Sequence, residues 1–83
     1  MISAELRASL SNPMTEEQYL EVVNALLKDA TPIGAYCLGF AEALRQKARR
    51  SPPVEVMERL VKCESVREGD DEYARALEAA GLE

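Results

Sequence analysis

Proline and its neighbours set the strongest limits on how this chain can fold. Three of the four prolines stand directly after a residue that starts or stops helices, and the fourth follows the third: Asn12-Pro13, Thr31-Pro32 and Ser51-Pro52-Pro53. A Ser or Thr followed by Pro is a helix start, because the hydroxyl caps a first-turn N–H and Pro lacks an N–H that the first turn leaves unpaired anyway. An Asn-Pro step ends a helix, because the residue before Pro is pushed out of helical geometry. A chain punctuated this way folds as a series of short helices.

The segments between these marks carry helical spacing. Ser3 caps a first short helix holding Ile2, Leu6 and Leu10, which Asn12-Pro13 breaks. Thr15 and Gln18 match a capping box, with Glu16 and Glu17 in the positive first turn. A second helix follows to about Asp29, its apolar stripe being Tyr19, Val22, Val23, Leu26, Leu27 and Ala30. A third runs from about Pro32 to Arg49. Ile33, Tyr36, Cys37, Phe40, Ala41, Leu44 and Ala48 form one face, and Ala35, Leu38 and Gly39 make much of the other side apolar. Such a helix is expected to be central and surrounded by its neighbours. Gly34 and Gly39 each cost about 1 kcal/mol relative to Ala inside a helix, and their expected use is close approach of another backbone.

Ser51-Pro52 predicts a fourth helix to about Val66, with Val56, Met57, Leu60 and Val61 as its seam. On its exposed face the i,i+4 pairs Glu55–Arg59 and Glu58–Lys62 have the favoured order. Gly69-Asp70 predicts a break, and a last helix from about Asp71 to Ala80 ends at Gly81. No segment alternates as a strand does. The expectation is an all-α fold, a compact bundle of four to five short helices with the third helix central, forming a single helical domain over residues 1–83.

Composition narrows function. The 83 residues include no His, so no His-based nucleophile pair, general base or metal ligand exists. Two cysteines cannot make a four-Cys zinc site, and no phosphate loop, nucleophile elbow or paired-carboxylate motif is present. The chain is expected not to be an enzyme and to use no metal and no cofactor. Cys37 and Cys63 fall on apolar helix faces and are expected to be buried free thiols. The N-terminus lacks the pattern of a secretory signal, and the longest charge-free stretch, Ala30–Ala41, is too short to span a bilayer. A soluble, cytoplasmic protein with no membrane contact is expected.

Two charged constellations are candidate contact surfaces. Arg45, Lys47, Arg49 and Arg50 crowd the end of the third helix with no acid among them. They fit a partner or anion site, and more simply a set of cations placed against a helix C-terminus. Glu64, Glu68, Asp70, Asp71 and Glu72 form an acidic stretch broken by Arg67. It fits a surface for a basic partner, and more simply a helix start with Asp70 as its cap and Asp71 and Glu72 in its first turn. Neither the spacing nor the alternation of a calcium loop is present.

Nucleic acid is an unfavoured partner. The net charge is -5, no aromatic side chain is interleaved with the four cations, and a helix-turn-helix placed over residues 30–41 has no Arg, Asn or Gln to read base edges. What remains is a binding module: a small acidic non-catalytic protein that docks on, and regulates or inhibits, a partner protein. In size, charge and helicity the chain is similar to compact regulators encoded by phages and mobile elements, including anti-CRISPR and anti-activator proteins. No motif carries that likeness and no residue role follows from it. The alternatives are a nucleic-acid or nucleotide binder using the basic helix end, and a structural subunit of an obligate assembly. Twelve of the apolar residues are Ala and only four residues are aromatic. So lean a core makes a homodimer or higher oligomer as well founded an expectation as a monomer.

Overall fold

The computed structural model describes residues 2–82. They form five helices and, among them, no strand: α1 (Ala4–Ser9), α2 (Glu16–Leu27), α3 (Pro32–Ala48), α4 (Val54–Val61) and α5 (Val66–Ala79). The local signals at three starts act as the sequence implies. Ser3 Oγ accepts from Leu6 N, and Thr31 Oγ1 accepts from Gly34 N at 3.0 Å with Pro32 in the first turn. Thr15 and Gln18 close a reciprocal capping box. No helix of the described residues is long and apolar enough to cross a membrane.

Two boundaries differ from expectation, each for a local reason. Helix α4 begins after Pro53, which is its N-cap and offers no side-chain bond. Pro53 pushes Pro52 out of helical geometry, so Ser51-Pro52 cannot open the helix, and Ser51 is buried instead. Helix α5 begins at Val66, five residues before Asp71, and α4 stops at Val61 to make room for the turn. Ser65 is its cap, its Oγ accepting from Glu68 N at 3.2 Å, while the Glu68 carboxylate accepts from Glu64 N at 2.9 Å. Ser65-Val66-Arg67-Glu68 thus carries a helix-start pattern that outweighs the break expected at Gly69-Asp70.

The core is one cluster, with Val22, Ala41, Met57 and Leu60 fully buried and Leu26, Leu38, Leu44 and Leu77 nearly so. Helix α3 packs on both α4 and α5, and α4 also touches α2 and α5. Two glycines permit these approaches. A Cβ on Gly34 would collide with the carbonyl oxygen of Val61, so α3 meets α4 backbone to backbone. A Cβ on Gly69 would lie 2.5 Å from Cys37 Sγ and 3.0 Å from Phe40 Cε2, so α5 lies directly on α3.

Gly39 does not act this way: nothing lies within 4 Å of where its Cβ would be. Helix α3 is covered along Gly34, Cys37, Leu38, Ala41 and Leu44, but its outer side is open. Ile33 and Tyr36, expected in the core, are 42% and 63% exposed. The molecule's smallest dimension is 16 Å, room for two helix layers and no third over α3. The helix that contacts its neighbours most is therefore buried on one side only.

Candidate partner-binding groove

Helices α3 and α5 run side by side in the same direction. Cys37 Sγ donates to Ser65 O at 3.6 Å, and the Phe40 and Tyr73 rings stack with centroids 5.3 Å apart. Farther along, both helices turn to small side chains: Ala48 on α3, and Ala76, Ala79 and Ala80 at the end of α5. Alanines fill little space, and Pro52 and Pro53, on the chain leading into α4, line the same hollow. The result is a groove of about 580 Å³. That volume lies within the ~300–1,000 Å³ of ordinary ligand sites. Leu44, Val56 and the alanines make its floor, and Arg50, Arg59, Arg75 and Glu72 stand at its sides.

The charged side chains are partly tied to one another. Glu72 accepts from Arg59 Nε at 3.2 Å and from Arg75 Nη1 at 3.4 Å, which fixes one carboxylate between two guanidinium groups. Three cations against one anion leave the wall locally positive on a chain of net charge -5. Arg59 takes Glu72 as its partner where Glu55 was expected. Glu55 and Glu58 instead face Arg7, joining α1 to α4.

The basic end of α3 divides. Arg45 is held within the fold: its Nε and Nη2 donate to the two oxygens of Glu42 at 3.1 and 2.8 Å, and its guanidinium lies over the Tyr19 ring. These bonds from Arg45 hold the Glu42 carboxyl below its ordinary range. Arg49 ends α3 in the left-handed region at φ 59°, its N–H bonded to Arg45 O. Lys47 and Arg49 are exposed, and Arg50 borders the groove.

The acidic stretch does not form one surface. A helix turns about 100° per residue, so Asp70, Asp71 and Glu72 on α5 point to three sides, with Asp70 and Asp71 exposed. Asp70 is not a cap, because Ser65 is. Glu68 serves the helix start, Glu64 is exposed beside it, and Glu72 faces the arginines. Glu64 and Glu68 therefore sit beside the first half of α3, while Lys47, Arg49 and Arg50 mark its far end.

Sequence reasoning missed Arg59 and Arg75 as groove residues. Arg75 lies i,i+3 from Glu72, a spacing the sequence offers, whereas Arg59 meets Glu72 from another helix, which no local pattern distinguishes. Cys37 and Cys63 are buried free thiols, as expected. Burial pushes the Cys63 thiol up to about 11. No protein-family model, no curated protein and no solved structure matches the chain.

Proposed function

We propose that the chain is a non-catalytic binding module that docks on a partner protein and regulates or inhibits it. The groove between the ends of α3 and α5 and the start of α4 receives an acidic, apolar-bearing segment of that partner. The observation that carries this reading is the pairing of an apolar floor with the Arg50, Arg59 and Arg75 side chains. Apolar contact supplies affinity, and the guanidinium groups select a carboxylate-bearing segment over a basic one.

The alternative reading, anion or nucleic-acid binding by the basic end of α3, has less to draw on. Arg45 is engaged by Glu42 and Tyr19, which leaves Lys47, Arg49 and Arg50.

The test places a photo-crosslinking amino acid at Ala79, an exposed residue that lines the groove, in the native host. A protein crosslinked at position 79 and lost in the Arg50→Glu/Arg75→Glu variant supports the reading. A crosslinked set unchanged by those two reversals, or one dominated by nucleic acid, overturns it.

A further inference from the structure

The outer side of α3 is an unpartnered surface with an unusual layout. From Ala30 to Ala41 the chain has no charge. On the open face, Tyr36, Ala43 and Lys47 lie along the middle, with Gly39 and Phe40, three and four residues after Tyr36, on its two flanks. Tyr36 is 63% exposed, Gly39 and Ala43 are exposed, and Phe40 is half-buried. Leu20, 53% exposed, borders this face from α2. Gly39 is the informative residue. Glycine in mid-helix is destabilising, yet nothing in its own chain needs the space it leaves.

We propose that a second copy of this chain packs antiparallel on this face, with the twofold axis passing between Gly39 and Phe40. An isologous interface must be self-complementary about its axis, and this stripe is. The operation sets Tyr36 of each copy over Ala43 of the other, and because neighbouring residues lie about 100° apart on a helix, Gly39 meets Gly39 on one side of the seam and Phe40 meets Phe40 on the other. Large meets small at Tyr36 and Ala43, and the missing Cβ of both Gly39 residues lets the helices approach.

Charge points to the same occupant. Lys47 and Arg49 mark the far end of α3, and Glu64 lies beside its first half, since Ser65 O accepts from Cys37 Sγ. An antiparallel twofold brings the basic end of each copy to the acidic start of the other, twice. A parallel pairing sets like against like. The surface lies on α3 and α2, away from the groove's floor, so this proposal is independent of the partner-binding reading.

Sedimentation equilibrium of the full chain across micromolar concentrations tests it. Wild type is expected to self-associate as a dimer, more weakly at high salt. Gly39→Leu is expected to weaken the dimer at least tenfold while keeping its helical circular dichroism. A Cβ at this position has no atom of its own chain within 4 Å. Should that variant fail to fold, Ala43→Glu takes its place. Lys47→Glu and Glu64→Lys, each alone, are expected to weaken the dimer several-fold, and the double variant to recover most of the loss. A wild type that stays monomeric at every concentration overturns the proposal. So does a dimer that is indifferent to Gly39→Leu and Ala43→Glu.

Discussion

The guanidinium of Arg45 lies 5.1 Å from the centroid of the Tyr19 ring, and the Tyr19 hydroxyl donates to the same Glu42 that binds Arg45. One carboxylate thus receives an arginine from its own helix and a phenol from α2. Burial pushes the Tyr19 phenol up to about 12, its bond to Glu42 and that carboxylate's charge add to the shift, and Arg45 opposes it.

The proton is held more tightly in the folded chain than in the unfolded one. Tyr19 therefore contributes stability that is complete below its ordinary value of 10.0 and is lost as pH rises toward 12. Denaturant midpoints measured across that window are expected to fall for wild type. Tyr19→Phe is expected to flatten the fall, at the cost of the bond to Glu42 at neutral pH.

Two glycines of one helix are expected to respond in opposite directions to the same change. Gly34→Ala drives a methyl into Val61 O and is expected to destabilise by ~1–3 kcal/mol. Gly39→Ala meets no atom of its own chain and is expected to raise monomer stability by ~0.5–1 kcal/mol. Urea midpoints of the two variants, at a concentration low enough to keep the chain monomeric, check the signs.

Ser65→Ala removes the hydroxyl that accepts from Glu68 N and is expected to cost ~1 kcal/mol, with the loss appearing as fraying of α5. Ser65→Asp is expected to retain most of the stability. Thermal unfolding of both variants distinguishes a cap from a spectator hydroxyl. A midpoint for Ser65→Ala equal to wild type would show that α5 starts elsewhere.

Both thiols are buried, and the Cys63 thiol is pushed up to about 11. Since only the thiolate reacts, the native chain is expected to resist alkylation at neutral pH and to label fully in denaturant. Mass spectrometry after a short iodoacetamide pulse reads the difference. Fast labelling of Cys63 in the folded chain would contradict its burial.

How much the sequence discloses depends on how local each signal is. Thr15–Gln18 and Thr31-Pro32 are read correctly because cap and recipient lie within one turn. The start of α4 is misjudged because Pro53 acts on Pro52, and the start of α5 because Gly69 resembles a break when it is a contact with Cys37. Periodicity shows that α3 has apolar sides but not which of them a neighbour covers, so Tyr36 is misplaced. The groove is illegible for a further reason. It is a hollow left by Ala48 on one helix and the alanines at the end of another, more than twenty-five residues on, and its Arg59 meets Glu72 only across helices.

Helix α2 packs mainly on α4, and its polar tie to α3 runs through Tyr19. Helices α3, α4 and α5, in contrast, all touch one another. The chain therefore divides into a mutually braced trio and a lighter first third. Opening of that first third exposes less apolar area than global unfolding does, so it costs less free energy. Amide protons of α2 are expected to exchange with solvent through this partial opening, ahead of those in the middle of α3 and α4. The gap between the two exchange rates is expected to widen in alkali, where ionisation of one phenol loosens the hinge. A local titration would then set how often the first two helices lift from the rest.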